Sequence, residues 1–169
     1  MKKILTILTL SLHMFAYEFV LLNSTTIDDE FIIETIKNQI KNYYFDEANE
    51  VKFHELDSKE EILKLLKNYD FTDDKQIQEE LIENNEDLED DLRLIFKTKY
   101  FLIVSEDIDR EGRAELKIEL KVDNISYLDT QFIMPKLEDK DLHYVNTIAN
   151  VVLTYISYKD KNFIKVNQL

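Results

Sequence analysis

The spacing of apolar positions along this chain changes from block to block, and each change marks a predicted element. Ile4 to Ala16 is a largely apolar stretch directly behind Met1-Lys2-Lys3. Tyr17-Glu18-Phe19-Val20-Leu21-Leu22 then alternates, and residues 18–23 read as a short buried strand. Ser24, Thr25 and Thr26 offer N-cap hydroxyls ahead of Asp28, Asp29 and Glu30, which suit a first helical turn. Ile32, Ile36, Ile40 and Tyr43 recur at helical spacing, so a helix is expected to about Tyr44. Val51 to Glu55 is a second strand candidate, with Val51 and Phe53 on one face. Ser58-Lys59-Glu60-Glu61 fits a capping box, and the helix after it buries Ile62, Leu65, Leu66 and Tyr69.

From Asp73 to about Lys97 the chain is most charged. Ile77, Leu81, Leu88, Leu92 and Ile95 form an apolar stripe, and Glu79, Glu80, Glu83, Glu86, Asp87, Glu89, Asp90 and Asp91 cover the rest. Asn84-Asn85 is a candidate break in this helix. Like charges at i,i+4, such as Glu79–Glu83 and Glu83–Asp87, oppose it by a few tenths of a kcal/mol each. Tyr100 to Ser105 is a continuous apolar strand, and Asp107 to Gly112 a turn. Arg113 to Val122 alternates, with Ala114, Leu116, Ile118, Leu120 and Val122 inward and Glu115, Lys117, Glu119 and Lys121 outward. That pattern is an antiparallel strand with one wet face. Ile125 to Ile133 follows a tight Asp123-Asn124 turn and completes a meander, which Pro135 ends. A last helix from about Asp139 to Tyr158 carries Leu142, Val145, Ala149, Val152 and Ile156 on its core side, and Phe163 to Val166 is a candidate edge strand. The fold class expected is α/β (α+β): a mixed sheet containing a three-strand antiparallel meander, with about four helices packed on it.

A short basic start, an apolar run and a small residue at Ala16 are the parts of a secretory signal. The expected organisation is therefore a signal over 1–16 and a single α/β domain over 17–169. The alternative is an uncleaved anchor from Ile4 to Leu22, against which Glu18 counts, because a charge inside such a span costs about 2.5–3.5 kcal/mol. The chain has no cysteine, which excludes disulfides and lipid attachment behind the apolar run, and points to a bacterial periplasm.

The whole chain carries 35 acidic and 21 basic residues, for a net charge of −14; without Lys2 and Lys3 the balance is −16. A surface this acidic repels phosphate backbones and anionic lipid headgroups, so neither nucleic acid nor direct binding to anionic lipid is expected. A basic protein partner fits the charge. With one glycine, Gly112, and one proline, Pro135, the chain cannot build a glycine-rich phosphate loop or a hydrolase nucleophile elbow.

Candidate chemistry is sparse. Asp107-Ile108-Asp109-Arg110-Glu111-Gly112 resembles the start of a calcium loop, but the twelfth position, where a bidentate Glu belongs, is Ile118. His54 and His143 remain beyond His13, and a zinc site needs three or four ligands. Ser24, Ser105 or Ser126 could join a histidine and an aspartate, though no local pattern supports a triad. With 35 acids, carboxylate pairs arise by chance at almost any separation. No catalytic residue, cofactor or metal ligand is therefore assigned. The aromatic cluster Tyr43-Tyr44-Phe45 suits packing or a contact patch. The candidate partner-binding residues are Glu79, Glu80, Glu83, Glu86, Asp87 and Asp90, as a docking surface whose charge speeds encounter with a basic partner.

The order strand, helix, strand, helix, acidic helix, meander, helix resembles a group of small envelope domains. Phe19-Val20-Leu21-Leu22-Asn23-Ser24-Thr25 and the segment Tyr100 to Ile133 carry that resemblance. The group comprises the curli-secretion (CsgG-type), flagellar FlgO-type and penicillin-binding-protein activator (LpoB-type) domains. The resemblance implies a non-catalytic envelope accessory that binds a larger machine or a cell-wall enzyme. The same function is the simplest reading of a secreted acidic domain without catalytic signature. Two rivals stand beside it: a divalent-cation-binding periplasmic protein using its acidic helix, and a hydrolase with an unrecognised site.

Overall fold

A computed structural model of the chain describes residues 17–44, 51–66, 74–123, 126–135 and 139–159. Five strands form one mixed sheet in the order β2-β1-β3-β4-β5. β1 (Tyr17–Asn23) lies parallel to both β2 (Val51–His54) and β3 (Tyr100–Ile108). β4 (Ala114–Val122) and β5 (Ser126–Ile133) continue from β3 as an antiparallel meander. The fold is α/β, as the alternation of strand and helix patterns predicts.

The two sheet faces are covered unequally. On the first lie α1 (Asp29–Tyr44) and α5 (Lys140–Lys159), whose Ile32, Ile36, Ile40, Tyr144, Val145, Ile148, Ala149, Val152 and Ile156 meet Phe19, Leu21, Leu102, Val104, Leu116, Ile118 and Leu120. Phe19 stacks between Phe53 and Tyr100, with both centroid separations 4.8 Å, so an aromatic row ties β2, β1 and β3 together. On the second face lie α2 (Lys59–Leu66), α3 (Lys75–Glu83) and α4 (Glu89–Lys97), joined to Val20, Leu22, Phe101 and Ile103 through Ile62, Leu81, Ile82, Leu92 and Ile95. Each such apolar side chain, fully buried, contributes about 1.5–3 kcal/mol. β1 and β3 are buried on both faces, which is why they read as unbroken apolar runs.

The helix count differs from the expected four. A single 3-10 turn, Glu86–Leu88, separates α3 from α4, and Asn84 and Asn85 stand at the break. Glu83 and Asp87 are consequently not neighbours on one helix, and their expected i,i+4 repulsion does not arise. The stripe also rotates: Ile77 is 45% exposed, while Ile82 and Gln78 are buried. Leu142 is likewise exposed, and Tyr144 takes the core position in the first turns of α5.

Two helix starts differ from expectation. Asp28, rather than a Ser or Thr hydroxyl, caps α1, with Oδ1 accepting from the N–H of Glu30 at 2.9 Å and of Phe31 at 3.3 Å. The Ser58 N–H, which a capping box would direct to Glu61, is donated to Asp91 Oδ2 at 2.8 Å, and the Asp57 N–H goes to Asp91 Oδ1 at 3.1 Å. Asp91 is therefore buried, not part of the solvated acidic surface. β3 runs three residues longer than expected, to Ile108, while β4 starts one residue later, at Ala114, so the turn comprises residues 109–113. The apolar stretch Ile4–Ala16, Phe45 and the side chains of Tyr43 and Tyr44, Tyr69 and Phe163–Val166 lie outside the described residues. Among the described residues no helix is long and apolar enough to cross a membrane.

Candidate functional site

The most concentrated charge on the molecule is carried by α3, the 3-10 turn and α4. Their apolar sides are held against the second sheet face, so their acidic sides must face outward. Glu79, Glu80 and Glu83 stand on α3, Glu86 and Asp87 on the 3-10 turn, and Asp90 on α4, and all six are exposed. The structure thus brings the six sequence-derived candidates onto one helical layer. Asp74 starts that layer by capping α3, accepting from the Gln76 N–H at 2.9 Å.

Arg93 spans the layer, while Lys75 and Lys97 stand at its two ends. The Arg93 Nε donates to Glu89 Oε1 at 2.7 Å, and its Nη1 reaches Glu79 Oε1 at 3.3 Å. Those hydrogen bonds, first to Glu89 and then to Glu79, raise the Arg93 pKa, so the guanidinium stays charged. Arg93 fastens α3 to α4 and neutralises Glu79 and Glu89 locally. Gln76 Nε2 donates to Glu80 at 2.9 Å without cancelling its charge.

Polar chemistry gathers in a second place that sequence reasoning missed: the C-terminal edge of the parallel strands. β1 passes into α1 on one face and β2 into α2 on the other, the arrangement that opens a crevice in doubly wound sheets. Asn23 Nδ2 donates to Asp29 Oδ1 at 2.8 Å and to the Ile27 carbonyl at 2.7 Å. The Lys59 ammonium pairs with the other Asp29 oxygen, joining the first residues of α1 and α2 across the opening. At the β3 end, Glu106 accepts from the Lys140 ammonium and from the Tyr144 hydroxyl, the latter at 3.2 Å. Burial, followed by the Glu106 charge, pushes the Tyr144 pKa up to about 12. Helix N-termini attract anions, but here Asp28, Asp29, Asp57, Asp139 and Asp141 crowd them and Asp91 already occupies the Asp57 and Ser58 N–H groups just ahead of α2. This edge is braced from within, and its acids repel a phosphate. Only the Asn-Ser-Thr-Thr ending of β1 signals it in the sequence.

The remaining candidates fall apart in space or are consumed locally. His54 projects on the second sheet face, its Nε2 3.7 Å from Glu18 Oε2, whereas His143 is exposed on α5, which packs against the first face. In the Asp107–Gly112 segment, Asp109 Oδ1 accepts from the backbone N–H of Glu111 at 2.9 Å and of Arg113 at 2.8 Å, and Oδ2 accepts from the Arg113 guanidinium. The Arg113 backbone bond leads in holding the Asp109 carboxyl below its ordinary range. Its oxygens hold the hairpin. Among the described residues, no group of three or more His, Asp or Glu side chains is arranged to hold a metal ion.

Lys121 overturns one sequence expectation. It has outward parity on β4, as read from the pattern, but α4 reaches over that end of the strand and buries it to 1% exposure. Its Nζ donates to the Ile95 carbonyl at 3.3 Å and lies 5.7 Å from the Phe96 ring centroid. Desolvation lowers its pKa to about 8, against a smaller opposing pull from Asp123. The rest of that face of β4 and β5 is open, with Lys117 bridging Glu119 at 3.1 Å and Asp129 at 3.6 Å.

Comparison of the chain with protein-family models, with curated proteins and with solved structures returned no match.

Proposed function

We propose that this protein is a non-catalytic accessory module of a bacterial envelope assembly, working outside the cytoplasm, and that it docks a cationic protein partner on the α3–α4 layer. The observation that carries the reading is the joint exposure of Glu79, Glu80, Glu83, Glu86, Asp87 and Asp90 on one helical layer, where Arg93 offsets Glu79 and leaves the other five without a salt bridge among the described residues. A rigid acidic surface steers a basic partner and rejects an acidic one, at little desolvation cost while the charges remain wet. The signal-like start and the resemblance to envelope accessory domains support the same reading.

Site-specific photo-crosslinking in cells tests it. A crosslinking residue at Glu83 or Asp87 is expected to capture a discrete basic partner, whereas one at Asn38 or Asn150, exposed on α1 and α5, is not. Equal capture from all four positions, or none from Glu83 and Asp87, refutes docking through the acidic layer.

A further inference from the structure

β5 forms one edge of the sheet, and no described strand lies beyond it. Its sequence, Ser-Tyr-Leu-Asp-Thr-Gln-Phe-Ile over 126–133, contains neither lysine nor proline, the residues that commonly blunt an edge against pairing. Tyr127 is 45% and Ile133 54% exposed on the open face. Leu128 and Phe132, on the helix-covered face, are only partly buried, unlike Leu116, Ile118 and Leu120 of the adjacent strand. The opposite edge, β2, offers only four residues.

An antiparallel pairing of β5 with a second β5 must match residues of like parity, or the faces of the two sheets do not continue. Centred on Thr130, the strand complements itself. Leu128 opposes Phe132 on the helix-covered face, while Tyr127 opposes Ile133 and Asp129 opposes Gln131 on the open face. Thr130 meets Thr130 at the axis. Shifting the centre to Asp129 places two carboxylates opposite each other. Shifting it to Gln131 sets Asp129 against Ile133 and Thr130 against Phe132. Cross-strand apolar and polar pairs favour the first register, and like charges disfavour the second.

We infer that β5 is a self-association edge, where a second copy of this chain pairs antiparallel about Thr130 to form a ten-stranded sheet with two-fold symmetry. The surface is separate from the acidic layer, so both can be occupied together. Two chains of net charge −14 repel, hence rising salt strengthens this association while weakening the capture of a basic partner.

Sedimentation velocity on the full chain, with Gln131 variants, tests the edge. Gln131→Glu places two like-charge pairs across the axis and is expected to weaken dimerisation roughly two- to thirty-fold, and Gln131→Lys to strengthen it over a similar range. Because the chain has no cysteine, single-cysteine variants read the register directly. Opposed residues lie about 4.5–5.5 Å apart at Cα, within disulfide reach, so Thr130→Cys crosslinks on oxidation. Gln131→Cys, separated from its copy by about 8 Å, does not. A monomer at every concentration and salt overturns the proposal. So does equal crosslinking at 130 and 131, or a dimer indifferent to the Gln131 charge.

Discussion

Lys121 shows how little a single pattern position reveals when an element elsewhere in the chain decides its surroundings. Its folded pKa of about 8 lies below its unfolded value, so between about pH 8 and 10.5 the unfolded chain binds the extra proton. Stability contributed at this site therefore rises with pH across that window, by up to about 3 kcal/mol. Lys121→Met is expected to be more stable than the parent at pH 7 and to lose that advantage as pH approaches 10.5. Urea unfolding at several pH values checks this, and a pH-independent difference contradicts it. Tyr144 has the opposite sign: its raised pKa adds stability that is fully present below pH 10 and is lost toward pH 12. Gly112 makes a simpler case. Its φ of +74° lies in the left-handed region, and a Cβ there would meet nothing within 4 Å. Gly112→Ala should lower stability by about 1–2 kcal/mol through backbone strain alone, measurable as a shift in the denaturation midpoint.

At the scale of elements, apolar periodicity made the strands and helices legible, because burial acts on local spacing. β1, the alternating β4 and α1 were readable for this reason. The parallel pairing of β1 with β2 and β3 was not, since nothing local encodes which strand a crossover returns to. The same limit applies to Asp91, which looks like one more acid in a charged helix. It is the partner of the Asp57 and Ser58 N–H groups more than thirty residues earlier. Asp91→Ala is expected to destabilise the fold by about 1.5–3 kcal/mol, as loss of hydrogen bonds to a charged acceptor. Hydrogen exchange should show α2 opening first. If α2 protection is unchanged, Asp91 does not anchor that helix. The six exposed acids could be singled out in the sequence because a charge run on an amphipathic helix has only one side free. The polar edge around Asn23, Asp29, Lys59, Glu106 and Tyr144 could not, because five separate elements build it.

The molecule as a whole divides its labour between layers. α1 and α5 close one face with apolar side chains, while the second layer covers only part of the other face and presents acid to solvent. Neutralising the outer acids should leave this scaffold intact. A variant carrying Glu80→Gln, Glu83→Gln, Glu86→Gln, Asp87→Asn and Asp90→Asn keeps the Arg93 clamp to Glu79 and Glu89 and relieves mutual repulsion. Its stability is expected within about 0.5 kcal/mol of the parent, or slightly above it. Such a variant separates docking from folding.

Capture from envelope extracts, comparing the parent chain with this five-site variant at low and moderate salt, tests the docking role most directly. Docking through the acidic layer predicts a discrete partner held by the parent at low salt, released as salt rises, and missing from the variant at both. Capture of the same partner by parent and variant alike, or of none by either, would contradict it.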